Sequence, residues 1–154
     1  MKLHLRPAEN VDHERVAYIL IQSRVAYMPY APSAHTDHEV RLWVKNHLIP
    51  TGGTTVAMLN GAVVGVSVVS RSSECSWIYQ MYVEPSLVGQ GIGSKLLEHA
   101  LGNLPRPVRL YTFQANVGAR RFYERNGFDI VKFTDGQDNE EHCPDVLYEL
   151  RSEF

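Results

Sequence analysis

Cysteine is nearly missing: Cys75 and Cys143 are the only two in 154 residues. Two thiols cannot build a disulfide framework, and neither stands in a C-x-x-C or Cys/His spacing suited to zinc, so no metal site is expected. Long apolar runs are missing too. The longest, Ala62 to Val69, is broken by Gly65 and Ser67 and falls far short of the ~20 residues a membrane helix needs. Neither sign of charge is in excess, since 15 Lys+Arg against 17 Asp+Glu leave a formal net charge of −2. That balance excludes a chain whose main work is coating nucleic acid or an anionic membrane. The segment from Met1 to Pro7 interrupts its apolar residues with Lys2, His4 and Arg6 and lacks the apolar run of a signal peptide. Reduced thiols and no leader together give the expectation of a cytoplasmic protein. Repeats and low-complexity tracts are absent, which excludes a solenoid.

What is present fits one globular domain over residues 1–154. Apolar residues make up 44% and charged residues 21%, near the average for packed soluble domains. Leu3 and Leu5 alternate with polar neighbours as in a short strand, and Val16, Ile19, Leu20 and Ala26 recur at helical spacing from about Asp12. Prolines at 29 and 32 stop that helix. Thr36-Asp37-His38-Glu39 reads as a capping box for a second helix with Val40, Trp43, Val44 and His47 as its apolar stripe, ended by Pro50 to Gly53. Two β-branched runs meet at Asn60-Gly61, the strongest short hairpin signal. A strand from Ser76 to Glu84 follows, and its alternation places Cys75, Trp77, Tyr79, Met81 and Val83 on one face. Then come a glycine loop, a helix carrying Leu96, Leu97, Ala100 and Leu101, a strand from Val108, a helix from Asn116 to Asn126-Gly127, and two last strands. The order β-α-α-β-β-β-α-β-α-β-β predicts an α/β fold, a mixed sheet covered by helices.

The loop Gly89-Gln90-Gly91-Ile92-Gly93 aims backbone N–H groups at one spot, and the helix start adds partial positive charge, which suits a phosphate. It is not the dinucleotide G-x-G-x-x-G, because the third glycine is missing, and not a Walker loop, because Ser94-Lys95 replaces Lys-Ser/Thr. What it does fit is a longer pattern. Met81-Tyr82-Val83-Glu84-Pro85 precedes the loop, and Asn116-Val117-Gly118-Ala119-Arg120-Arg121-Phe122-Tyr123 through Gly127-Phe128 follows it. Together these resemble the GNAT superfamily of acetyl-CoA-dependent N-acetyltransferases, and the element order matches that fold over the whole chain. Around Pro32 to Thr36, and from Thr134 to Glu141 with Pro144-Asp145-Val146, the chain is similar to small bacterial members. One departure is Val88, where the family carries Gln or Arg; it removes a side-chain contact to the pyrophosphate and implies weaker cofactor affinity.

The resemblance implies a mostly antiparallel sheet with one splayed parallel strand pair, into which acetyl-CoA inserts as co-substrate. Backbone groups of Met81 and Val83 would pair with the pantetheine, the Tyr82 N–H would face the thioester oxygen, and the amides of Gly89, Gln90, Gly91, Ile92, Gly93 and Ser94 would hold the pyrophosphate. Asn116 would touch the pantetheine arm as well as cap its helix. Tyr123 stands at the general-acid position and would protonate the departing thiolate. The reaction implied is acetyl transfer to a primary amine of a small molecule by direct attack. Peptide or protein amines, or acyl-CoA binding without turnover, are the alternatives. Tyr30, His35 and Tyr79 are the candidate acceptor-site residues, with Tyr27, Tyr30 and Tyr79 as an apolar wall and the acidic loop from Asp135 to Asp145 as a rim for cationic amines. No ionisable base appears on the strand before the glycine loop, and His35 is the alternative. A homodimer is left open by the resemblance; nucleic acid and membrane are not expected partners.

Overall fold

Asn60 and Gly61 adopt φ of 52° and 81°, the paired left-handed geometry of a two-residue hairpin turn. In the computed structural model, which describes residues 2–31 and 34–151, they join β2 (Thr54–Leu59) to β3 (Ala62–Ser70). β1 (Leu3–Pro7) lies antiparallel to β2. Arg6 on β1 holds the start of the next helix through both oxygens of Asp12, at 2.7 and 3.0 Å, and α1 then runs over His13–Tyr27. Pro32 and Ser33, part of the segment similar to bacterial members, lie outside the described residues.

The capping box forms as its sequence predicts: the Glu39 N–H donates to Thr36 Oγ1 at 3.1 Å and the Thr36 N–H to Glu39 Oε1 at 2.9 Å. It starts α2 (Asp37–Trp43). The helix does not continue in phase. A wider π-type turn over Val44–Leu48 leads into a last turn, α3 (Ile49–Thr51), and the extra residue per turn rotates the apolar stripe. Val44, Leu48 and Ile49 are buried, whereas Trp43 and His47 face outward. The expected stripe of Val40, Trp43, Val44 and His47 is corrected accordingly.

β4 (Ser76–Val83), α4 (Ile92–Asn103), β5 (Val108–Phe113), α5 (Val117–Arg125), β6 (Asp129–Thr134) and β7 (Asp145–Leu150) complete the chain. The sheet has seven strands in the order β1-β2-β3-β4-β5-β7-β6. Only β4 and β5 pair in parallel; the other neighbours are antiparallel. Val16, Ile19, Val44 and Leu48 pack onto Val56, Val66 and Val68, so α1 and the π-type turn cover one face. Leu97 and Ala100 of α4 and Tyr123 of α5 cover the other over Val108, Leu110, Val146 and Tyr148. Each such side chain contributes roughly 1.5–3 kcal/mol of burial. Gly65 lets α4 sit close: a Cβ there would meet Leu96 Cδ1 at 3.0 Å and Ile92 Cγ2 at 3.3 Å. No helix among the described residues is long and apolar enough to cross a membrane.

Candidate active site

The two parallel strands touch only at their beginnings, through Ser76↔Val108 and Trp77↔Arg109. Beyond that point β4 follows β3 and β5 follows β7 along Val108–Phe113, so the strands diverge. A bulge contributes to the parting. Gln80 pairs with Val68 and Ile78 with Val69, which leaves Tyr79 as an extra residue, and a bulge bends its strand and sharpens its twist. The bulge also reverses the alternation. Trp77 and Tyr79 stack face to face at 6.3 Å, Trp77 stacks on Tyr111 at 5.8 Å, and Tyr79 is 59% exposed. Met81 and Val83 instead pack toward Ile92 and Leu96 on the α4 side. The single face expected for Cys75, Trp77, Tyr79, Met81 and Val83 is therefore two faces.

The ladder fixes which amides of β4 are open. The Glu84 N–H donates to the Val64 carbonyl at 2.8 Å, and the register runs on through Gly65↔Val83 and Val66↔Tyr82. In an antiparallel pair hydrogen-bonded and open positions alternate. The Tyr82 N–H thus faces β3, and the N–H groups of Met81 and Val83 face the gap. The Tyr82 amide, expected to face a thioester oxygen, is turned toward β3 instead.

The gap is a cleft of about 420 Å³, lined among others by Tyr79, Met81, Tyr82, Asn116 and Tyr123. Asn116 caps α5 by accepting from the Ala119 N–H at 3.2 Å, leaving its amide NH₂ as a donor beside the cleft. Tyr123 is buried, with Phe122 and Phe128 edge-on at 5.2 and 5.6 Å. Burial, and then the neighbouring Tyr82, push its phenol well above the usual tyrosine range. The glycine loop lies next to the cleft: a Cβ on Gly93 would touch Phe122 at 3.7 Å and Val83 at 3.9 Å. Gly89 and Gly91 sit at φ 89° and 85°, and a Cβ on either would point into open space. Gly91 caps α4 without a side-chain acceptor, so the first-turn amides remain available to an anion. These features fit a pyrophosphate-bearing ligand whose arm runs along β4.

A second cavity of about 800 Å³ opens on the other side, lined by Leu20, Ile21, Val25, Val40 and Trp43 together with His35, Glu140 and other residues. The two cavities share Arg24, Met28, Gln80, Tyr82 and Glu141. Arg24 of α1 donates to Glu141 Oε2 at 2.8 Å and His35 lies 3.2 Å from Glu140 Oε2, so the β6–β7 loop is tied to α1 and to the start of α2. Burial raises the Tyr82 phenol, with Arg24 lowering it and Glu141 raising it. Of the residues expected at the acceptor site, His35 lines the second cavity and Tyr79 the cleft. Tyr30 lines neither and packs edge-on to Phe113 at 6.1 Å. Tyr27 lines neither as well, so of the three tyrosines only Tyr79 borders one of these cavities, and the second is lined by aliphatic residues and Trp43 together with Tyr82, Asp37, Glu39, Glu140 and Glu141. Arg24 and Gln80 were not singled out by the sequence, and Glu141 only as one carboxylate of the acidic rim. Their meeting depends on contacts across 117 positions of chain, for which no local pattern exists.

The acetyltransferase (GNAT) family model matches residues 20–128. A search of curated proteins finds no match. Among solved structures, the apo form of YjaB from Escherichia coli is 21% identical with a TM-score of 0.78, covering 97% of both chains. The PaiA N-acetyltransferase from Thermoplasma acidophilum, in complex with coenzyme A, is 17% identical with a TM-score of 0.76, covering 99% of this chain and 100% of that one. Naa50 from Arabidopsis thaliana, in complex with the bisubstrate analogue CoA-Ac-MVNAL, is 20% identical with a TM-score of 0.72, over 99% and 100%. At these identities the structures show the fold, and the family model covers most of the sequence. The chain belongs to the GNAT acetyltransferase family.

Proposed function

We propose that this protein transfers the acetyl group of acetyl-CoA to a primary amine of a small molecule by direct attack. The observation that carries the reading is the cleft between diverging parallel strands. Met81, whose amide is open, lines it with Asn116 and Tyr123, beside a helix capped by glycine. Acetyl-CoA supplies a thioester carbonyl open to an amine and a thiolate that must leave.

The chain's own groups divide the work. Amides from Gly89 to Ser94 hold the pyrophosphate at the start of α4. The Met81 and Val83 N–H groups bind the arm and the carbonyl oxygen, where negative charge gathers during attack. Asn116 donates to the arm. Tyr123, kept neutral by its burial, holds a proton on its hydroxyl for the departing sulfur, whose conjugate acid has an ordinary pKa near ~8.5.

The test is thiol release from acetyl-CoA across amines, amino acids, polyamines, aminoglycosides and short peptides, with acetyl-CoA affinity measured by calorimetry on the same sample. Release that depends on a small amine supports the reading. Release with peptides alone moves the acceptor class to proteins, and binding without release with any acceptor leaves an acyl-CoA-binding module.

A further inference from the structure

Building on the transferase reading, we infer that Glu141 receives the acceptor's ammonium group and takes its proton, and that the acceptor is a primary amine on an apolar body. The two cavities meet at Arg24, Met28, Gln80, Tyr82 and Glu141, and Glu141 is the one carboxylate among these five. An amine whose body fills the larger cavity and whose nitrogen reaches the cleft therefore passes this carboxylate. Arg24 fixes Glu141 through Oε2, and no described residue donates to Oε1, which leaves that oxygen for the substrate. The larger cavity is walled by Leu20, Ile21, Val25, Val40 and Trp43, which suits an alkyl or aryl body, while Asp37, Glu39 and Glu140 on the same lining favour a cationic amine over a neutral one.

The proton balance closes. The ammonium gives one proton to Oε1 of Glu141 and becomes a free amine. Its lone pair forms the C–N bond as the C–S bond breaks, and the sulfur leaves with the electron pair. Tyr123 donates its proton to that sulfur and recovers one from the acetylated nitrogen. Glu141 then releases its proton to water, so the net products are the acetamide, coenzyme A and one proton.

The probes are 2-phenylethylamine and hexylamine, against glucosamine. Wild-type turnover of any amine upholds the parent reading by itself. Given that, the inference expects the two apolar amines to have at least tenfold higher kcat/KM than glucosamine. Glu141→Gln should lower kcat/KM for 2-phenylethylamine by ~100-fold at pH 7, and the deficit should shrink to under tenfold near pH 10, where about half of the amine arrives deprotonated. Glu141→Asp should recover part of the loss, and Glu98→Gln on the exposed face of α4 should change nothing. A purely structural Glu141 would give a deficit independent of pH, and that result overturns the proposal, as does an unchanged Glu141→Gln enzyme. If Glu141→Gln fails to fold, Glu141→Asp carries the same pH comparison with a smaller deficit. Preference for glucosamine overturns the acceptor class, and no turnover with any amine overturns both this inference and the reading beneath it.

Discussion

Tyr123 is where packing and the proposed chemistry fall on one residue. Its ring belongs to the core under α5, against Phe122, Phe128 and Tyr148, while its residue lines the cleft. Removing the hydroxyl alone separates the roles, because Phe keeps the ring contacts. Tyr123→Phe is expected to lower kcat ~100-fold, the usual worth of a positioned acid, with the acetyl-CoA dissociation constant unchanged by calorimetry. Because burial raises its pKa, the neutral donor form persists as pH rises. The kcat profile should therefore climb as the amine loses its proton and show no descending limb below pH ~10; a fall near pH 8 would remove Tyr123 from the acid role. This residue and Asn116 were legible in the sequence through one helical motif. Glu141 was legible only as one carboxylate of an acidic rim and Arg24 not at all, because one lies in a charged loop, the other in the last turn of α1, and only the folded chain makes them partners.

At the scale of elements, the legible features are those whose cause is local. The Asn60-Gly61 turn, the Thr36/Glu39 capping box and the Asn116 cap each depend on atoms within a few residues, and each is found where the sequence put it. The π-type turn at Val44–Leu48 and the bulge at Tyr79 depend on what the helix and strand pack against, so periodicity read them as regular and assigned Trp43 and Tyr79 to the wrong neighbours. The glycine loop stands between the two cases. Its backbone needs Gly91 at φ 85°, and L-residues pay about 1–2 kcal/mol there. Gly91→Ala would add that strain and turn a methyl into the open anion cradle. The expected result is an acetyl-CoA dissociation constant ~10-fold weaker, since 1.4 kcal/mol is a factor of ten, with kcat at saturating cofactor close to wild type. A kcat loss equal to the affinity loss would show that the loop acts on the chemistry as well.

The whole molecule is held at several places by carboxylates in ion pairs. The hydrogen bond from Arg6 holds Asp12 below the usual carboxylate range. Burial alone would raise Glu149, but hydrogen bonds from Arg109 and Arg151 outweigh it and hold that group low too. A carboxyl whose folded pKa is depressed adds stability above its unfolded value, near ~4, and loses it as pH falls through the folded value. Melting temperature should be nearly flat from pH 7 to 5 and drop below pH ~4, and Asp12→Asn should lower it at pH 7 by about 2 kcal/mol of stability while flattening the acid decline. An Asp12→Asn variant as stable as wild type at pH 7 would show that the clamp between β1 and α1 is dispensable.

The sheet itself is two half-sheets, β1-β2-β3-β4 and β5-β7-β6, joined by only two residue pairs at the start of β4 and β5. Separate clusters cover their faces, with α5 packed chiefly on the second half and α1 on the first. On the proposed function, a ligand lying along the open edges of β4 and β5 would supply the contacts that the divergence removed, which would couple cofactor binding to the union of the halves. At a concentration a hundredfold above its dissociation constant, a ligand that binds only the folded chain stabilises it by about 2.7 kcal/mol. For a domain near 150 residues that corresponds to a melting shift of roughly 5–10 °C. The same experiment by hydrogen exchange should slow the amides of Met81 and Val83 and those at the start of α4, while β1 and β2, paired on the far side of the first half, change little. A shift of that size with protection spread evenly over the sheet would mean that coenzyme A tightens the whole fold rather than closing this seam; protection confined to the seam ties the splayed geometry directly to cofactor capture.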